Sequence, residues 1–411
     1  MKRTFVTVCL FLFIGGVGWA QGAAEKPEAE SILVAEEKTA ETPAVRDGSE
    51  KAEKPAVDVY GYLKLDVAYD SAEVDSGNCP TYVLPKTAHR GSEGELSVTA
   101  RESRLGLMLK GPELGATKTG GRLEGDFYSG SSPEDAPFFR VRLAYLEVDW
   151  PAVEFAVLAG QAADLIGPLV PPTINYQVLR RGGNIDYRHP QLRLTKGISF
   201  GSAKVTVQAA LVRTVLSAGT TETSDTGYGS DASFPTVQGR MALSVPLLTE
   251  KPTVLGLWGH YGREEIHSKT VSKDFHSWSG GLDLSVPIAP ALGVMAEVWL
   301  GANLDAYNGG IGQGLNVALL EEVPAMGGWT AVSLGPVKSW TVNVGGGFDQ
   351  PDAAKLNAND RELNLVVFGN VWYGIHDAVK IGVEPAYLIT AYKGQTYSSA
   401  LRLQGAMMYT F

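Results

Sequence analysis

The stretch VDVYGYLKLDVAYD, Val57 to Asp70, decides the architecture. Val57, Val59, Gly61, Leu63, Leu65, Val67 and Tyr69 occupy one set of alternate positions. Asp58, Tyr60, Tyr62, Lys64, Asp66, Ala68 and Asp70 occupy the other. Successive side chains of an extended chain point to opposite faces, so these residues predict a β-strand with one apolar and one polar side. The pattern recurs downstream. Leu105, Leu107 and Leu109 alternate with Arg104, Met108 and Lys110, and Val141, Leu143 and Tyr145 with Arg140 and Arg142. Val237, Met241, Leu243 and Val245 alternate with Gln238, Arg240 and Ser244. Trp340, Val342, Val344 and Phe348 alternate with Thr341, Asn343 and Asp349.

The connections alternate too, between short and long. Gly111-Pro112, Pro151-Ala152, Lys196-Gly197, Pro246-Leu247, Pro287-Ile288, Gly335-Pro336 and Gly374-Ile375 read as tight turns. Between them lie long polar stretches: Ser71–Glu95, Ser129–Pro137, Ala162–Asp186, Val215–Phe234, Arg263–Asp274, Asp305–Ala325, Gln350–Arg361 and Ala391–Ser398. Eight long loops joined by seven short turns predict an all-β fold, a 16-stranded antiparallel transmembrane β-barrel over residues 56–411. This leaves about 22 residues per strand and connection, room for membrane strands with short periplasmic turns and long outer loops. A soluble sandwich or propeller would turn Lys- and Glu-rich faces to water. Here the polar faces carry Gly, Asn, Ser and Gln with spaced Arg, no blade-length repeat is visible, and no ordinary helix is expected after residue 56.

Upstream, Lys2 and Arg3 precede an apolar run from Phe5 to Gly18, and Gly18-Trp19-Ala20 supplies a small-x-small site. Residues 1–20 thus read as a secretory signal peptide, too short to span a membrane as an anchor. Residues 21–55 are rich in Glu, Lys, Ala and Pro with an acidic balance, and read as a flexible or partly helical periplasmic linker.

Composition narrows the function. The 411 residues are 44% hydrophobic and 9% aromatic, too apolar for a disordered chain. The two cysteines, Cys9 in the signal peptide and Cys79, exclude a disulfide framework or a multi-cysteine zinc site. The net charge of -10, without a long basic run, argues against a nucleic-acid partner. The six histidines (His89, His189, His260, His267, His276 and His376) scatter, and no HExxH or GxSxG pattern occurs, so neither catalytic residues nor metal ligands nor a cofactor are assigned. An outer-membrane barrel enzyme and a structural envelope anchor stay open as alternatives to a channel.

Several segments resemble strands of Gram-negative porins: Val59-Tyr60-Gly61-Tyr62-Leu63-Lys64-Leu65-Asp66, Ser103-Arg104-Leu105-Gly106-Leu107, and Gly121-Arg122-Leu123-Glu124-Gly125-Asp126-Phe127-Tyr128. Leu158-Ala159-Gly160-Gln161 and Pro190-Gln191-Leu192-Arg193-Leu194 resemble the fifth and sixth strands of DcaP-like porins. The resemblance implies a homotrimer in the bacterial outer membrane, in contact with lipid and lipopolysaccharide, that passes small hydrophilic, often anionic, solutes. Leu401, Leu403, Gly405, Met407, Tyr409 and Phe411 share one strand face and resemble a C-terminal assembly signal, with Tyr409 and Phe411 as its aromatic pair.

The resemblance further implies that the third long loop, residues 162–186, folds into the barrel and narrows it. Pro168, Pro171 and Pro172 stiffen this loop, and Leu165, Ile166, Leu169, Val170 and Ile174 can pack on the inner wall. Asp164, Asn175, Tyr176, Arg180, Arg181, Asn184 and Asp186 are its polar candidates. Alternation puts Arg104, Arg122, Arg140 and Arg142 on the lumen side, and Arg193 joins them as a pore-lining candidate. A ring of guanidiniums favours anions. Each arginine has an alternative role, as the partner of a wall carboxylate such as Glu102, Glu124 or Asp126.

Overall fold

The computed structural model describes residues 56–86, 93–112, 115–129, 136–213, 234–267 and 272–411. The expected signal peptide and linker lie outside them. The strands are β1 (Ala56–Asp70), β2 (in two segments, Glu95–Thr99 and Arg104–Lys110), β3 (Lys118–Asp126), β4 (Arg140–Trp150), β5 (Phe155–Ala163), β6 (Arg188–Phe200), β7 (Ala203–Val212) and β8 (Thr236–Val245). They continue as β9 (Thr253–His267), β10 (Ser272–Ala289), β11 (Leu292–Ala302), β12 (Pro324–Val337), β13 (Trp340–Pro351), β14 (Arg361–His376), β15 (Val379–Tyr392) and β16 (Ser398–Thr410). Each pairs antiparallel with its sequence neighbours, and β1 pairs with β16, so the 16 strands form a closed barrel. At the seam Tyr62 faces Thr410 and Asp70 faces Arg402. Gly61 and Phe411 exchange both backbone hydrogen bonds, at 3.1 and 3.0 Å.

The faces are inverted relative to a soluble protein. Leu63 is 59% exposed, whereas its neighbours Lys64 and Asp66 are each only 3% exposed. Around the barrel the exposed set is Val, Leu, Ile and Met, and the buried set holds Asp, Glu, Asn, Gln, Ser and Arg. Aromatic residues cluster outside at both ends. Trp150, Phe155, Phe200, Trp340 and Tyr373 lie toward the tight turns; Tyr69, Phe234, Tyr261, Trp278 and Tyr387 lie toward the long loops. An aliphatic belt between two aromatic girdles matches a bilayer and its two interfaces.

Four turns lie a few residues beyond their expected places. Lys196-Gly197, Pro287-Ile288, Gly335-Pro336 and Gly374-Ile375 fall inside β6, β10, β12 and β14, and the chain reverses at Gly201-Ser202, Pro290-Ala291, Lys338-Ser339 and Asp377-Ala378. Three of these strands absorb the Gly or Pro as a bulge, with register shifts at Pro287/Ala289, Leu334/Val337 and Gly374/His376. The fifth long loop is shorter than expected, because β9 and β10 keep pairing from Arg263–His276 to His267–Ser272. A further shift at Glu124/Gly125 breaks the alternation of β4, so Tyr145 pairs opposite Arg122 on the lumen side instead of sharing the outer face with Val141.

Two outcomes follow. Cysteines placed at exposed Thr396, in the last long loop, and at exposed Ser339, in a tight turn, should differ in reaction with an impermeant maleimide on whole cells. Labelling at 396 alone is expected; labelling at 339 alone would invert the orientation. Removing Phe411 deletes two seam hydrogen bonds, each worth about 1 kcal/mol net in water and more in lipid. The heat-modifiable folded fraction should fall, and an unchanged fraction would show that the seam closes without them.

Candidate functional site

The third long loop, residues 164–187, starts from β5 and runs through the barrel interior. Its apolar side chains dock on the wall opposite the arginines. Leu165 packs with Ala210 and Val212, and Ile166 and Ile185 with Trp258 and Trp299. Leu179 joins Trp329, Phe368 and Leu388, with Leu169 packed against that cluster. Ile174 is buried as well, whereas Val170 stays exposed.

The loop backbone still needs hydrogen-bond partners, and inward-facing wall side chains supply them. Leu165 N donates to Gln238 Oε1 at 2.8 Å, and Leu169 N to Glu297 Oε1 at 2.8 Å. Ile174 N and Asn175 N donate to the two oxygens of Glu384, at 2.6 and 3.2 Å. Asn370 Nδ2 donates to Pro172 O, Asn364 Nδ2 to Arg181 O and Trp299 Nε1 to Gly183 O, each at 2.7 Å. Gly183 approaches the wall so closely that an added Cβ would lie 2.2 Å from the Gly328 carbonyl oxygen. The first long loop joins through Asn175 Nδ2, which donates to Pro80 O at 3.1 Å, and the sixth through Arg181 N, which donates to Asn308 O at 3.0 Å.

On the other side stand the arginines of β2, β3 and β4. Glu124 and Asp126 are buried at the centre of their cluster. Arg140 Nε reaches Asp126 Oδ1 at 2.7 Å, and Arg142 reaches both acids, at 2.9 Å each. Arg122 Nη2 lies 3.0 Å from Glu124, and Arg104 Nε 3.6 Å from it. Four guanidiniums therefore surround these two carboxylates. Tyr176 of the loop closes the group: its hydroxyl donates to Asp126 Oδ2 at 2.8 Å and accepts from Arg140 and, at 3.0 Å, from Arg142. Tyrosine rings flank the guanidiniums, Tyr62 beside Arg104 and Tyr60 beside Arg122.

The remaining candidates separate into distinct environments. Arg180 forms a two-pronged pair with Asp186, at 2.5 and 2.6 Å, and is buried rather than facing water. Burial alone would raise the Asp186 carboxyl; the Arg180 guanidinium outweighs it and holds the group below the ordinary carboxylate value. A depressed carboxyl contributes stability above its unfolded-state value and loses it only as pH falls through the folded one, so this pair holds at neutral pH. Asp164 is taken up by His189 Nδ1 at 2.8 Å, and Arg181 Nη1 lies 3.9 Å from Asp75 of the first loop. Arg193 donates to Gln191 Oε1 at 3.0 and 2.8 Å. Nearer the tight turns β4 turns Glu147 and Asp149 inward, so the positive segment is confined to the middle of the pore. Sequence reasoning did not single out the loop anchors Glu297, Glu384, Asn364 and Asn370, nor Arg188. The inward parity of the anchors in their strands was the available signal.

The fold has counterparts in solved structures. No protein-family model matches the sequence, and no curated protein matches it. The outer membrane channel DcaP of Acinetobacter baumannii aligns over 89% of this chain and 99% of its own, with TM-score 0.70 and 17% identity. An anion-selective porin from Comamonas acidovorans aligns over 87% and 100%, with TM-score 0.56 and 11% identity. OmpF of Salmonella typhi, in complex with daunomycin, aligns over 86% and 97%, with TM-score 0.55 and 12% identity. The chain has the fold of the Gram-negative outer-membrane porins. Within that porin fold the wall carboxylates hold the third loop in place.

Glu384→Ala would leave two loop N–H groups without their acceptor, at a cost of about 1–3 kcal/mol for each buried group. The expected result in single-channel recording is a noisier, larger conductance. An unchanged trace would mean that apolar packing alone holds the loop.

Proposed function

We propose that the protein is a passive diffusion channel of the bacterial outer membrane for small hydrophilic solutes, with a mild anion preference. The observation that carries this reading is the imbalance at the constriction, where Arg104, Arg122, Arg140 and Arg142 gather around Glu124 and Asp126. The loop does not redress it, because its Asp186 is matched by Arg180 and its Asp164 is turned to the His189 ring, away from the cluster. An anion passing this cluster meets surplus positive potential. A unit charge about 4 Å away contributes roughly 1–4 kcal/mol between bulk-water and surface-like dielectrics, so the preference is graded rather than absolute. Glu147 and Asp149, further along the path, temper it.

The same reading places the chain in contact with lipid and lipopolysaccharide, exported by residues 1–20, with residues 21–55 in the periplasm. Homotrimer assembly belongs to the proposal and is supported by a solved trimer form of a Vibrio cholerae outer membrane protein with the same fold. Tyr409 and Phe411 are proposed as the C-terminal signal for assembly of the barrel into the outer membrane. The enzyme alternative gains nothing from His260. Its ring nitrogens meet Ser279 Oγ at 2.6 Å and Ser277 Oγ at 2.9 Å, but all three residues are buried.

Liposome swelling with small neutral and anionic solutes tests the channel, and reversal potential in asymmetric KCl tests its sign. A chloride preference is expected that weakens from about 0.1 M to about 1 M salt as the Debye length shrinks from roughly 10 to 3 Å. Arg122→Gln should reduce it. A cation preference in the parent protein would overturn the anion reading and leave the channel standing; absence of swelling would overturn the channel.

A further inference from the structure

The sixth long loop, residues 303–323, packs inside the barrel with ties of its own to the wall. Leu304, Ala306, Tyr307 and Ile311 are each at most 1% exposed. The first three share a cluster with Ile166 and Ile185 of the third loop and with Trp258 and Trp299 of the wall. The Tyr307 ring meets two wall histidines, at 5.3 Å from His189 and 4.5 Å from His260. Ile311 N donates to Asp349 Oδ2 at 3.0 Å, and the Gln313 amide exchanges two hydrogen bonds with the Arg361 backbone, at 2.7 and 2.9 Å. The third loop is bonded to this body. Arg181 N donates to Asn308 O at 3.0 Å and Asp186 N to Tyr307 O at 3.1 Å, and Asn308 Nδ2 donates back to Asp186 O at 2.8 Å. The wall takes the Arg181 and Gly183 carbonyls; the sixth loop takes the Arg181 and Asp186 N–H groups.

The segment held in this way is strained. Val178, Leu179 and Arg181 have φ of 43°, 60° and 58°, a left-handed backbone in which Cβ crowds the following carbonyl. Such conformations persist only where the surroundings over-determine them. The same run leads to Tyr176 of the arginine cluster through successive turns: Val178 N to Asn175 O at 3.1 Å, Arg180 N to Gln177 O at 2.8 Å and Gly182 N to Leu179 O at 2.9 Å. Asn308 is itself left-handed, at φ 61°, which asparagine tolerates. We propose that the sixth loop is a second constriction element: by clamping the strained end of the third loop it fixes the size cutoff of the pore, with Asn308 as the positioning residue. The inference rests on the channel reading and deepens it. The charge at the constriction comes from arginines of β2, β3 and β4, so size cutoff and ion preference have separate determinants.

The test compares the parent, N308G, N308D and V317S in planar bilayers and in liposome swelling with neutral sugars from pentoses to disaccharides. Glycine keeps the left-handed backbone and drops the amide donor. Aspartate keeps the shape and turns an acceptor toward the Asp186 carbonyl. N308G should raise the time spent in larger-conductance substates roughly fivefold, the scale of one net hydrogen bond, and admit a larger sugar than the parent does. N308D should do at least as much. The KCl reversal potential of N308G should stay parental. Val317 is exposed at the tip of the same loop, so V317S should match the parent throughout. Conducting N308G and N308D channels with parental substates and sugar cutoff would overturn the role of Asn308, and so would the same gain in V317S. A shifted reversal potential in N308G with an unaltered cutoff would overturn the separation of size from charge. A parent that neither conducts nor swells liposomes would instead overturn the reading on which the inference rests.

Discussion

A bilayer interior offers no hydrogen-bond partner to a peptide group, so every N–H and C=O that crosses it must find one in the protein. Here the demand is met by a single seam, the pairing of β1 with β16 from Tyr62–Thr410 to Asp70–Arg402. Without it both edge strands would present open ladders to lipid. With it the sheet has no edge, and its two faces acquire opposite solvents. Apolar side chains take the outside, and every polar side chain on the alternate positions is committed to the lumen. The charge pairs and loop anchors of the interior all follow from that commitment.

The interior carboxylates divide into two jobs by position. On β11, β13 and β15, Glu297, Asp349 and Glu384 accept backbone N–H groups from the inserted loops, Leu169, Ile311 and Ile174 respectively. On β3, Glu124 and Asp126 sit among guanidiniums. The first group spends its capacity on holding irregular backbone away from water, where each unpaired N–H would cost about 1–3 kcal/mol. The second group organises the arginines without matching them in number. One wall is thereby a socket for the third and sixth loops, and the other carries the arginine cluster.

Much of this was legible in the sequence, because the side-chain period of a strand is a local property. Face assignment and the lumen positions of Arg104, Arg122, Arg140 and Arg142 came from that period, and the strand count from the spacing of long and short connections. The turn positions were less legible: Pro287, Pro336 and Gly374 punctuate a chain in solution, but a long antiparallel ladder absorbs them as bulges. Tyr145 was misassigned for the same reason, since one bulge reverses parity. The inward parity of the anchors was legible, but the loop groups they bind were not. Leu169 and Glu297 stand 128 residues apart in the chain and Ile174 and Glu384 stand 210 apart, and no period connects a loop N–H to a distant glutamate. Arg188 was missed because it opens its strand opposite Ala163 and shares the alternate set of Pro190, Leu192 and Leu194 rather than that of Gln191 and Arg193.

The tryptophans divide the molecule optically. Trp258, Trp299 and Trp329 are buried between the wall and the inserted loops, and the Trp299 indole donates directly to the loop carbonyl of Gly183. Trp278 and Trp340 are exposed on the outer face, at opposite ends of the aliphatic belt. An indole shielded by the loop and an indole bathed in lipid differ in polarity and in access to quenchers. Emission from the inner set therefore reports docking of the loop, and emission from the outer set reports insertion. The protein carries separate built-in fluorophores for its two final assembly events.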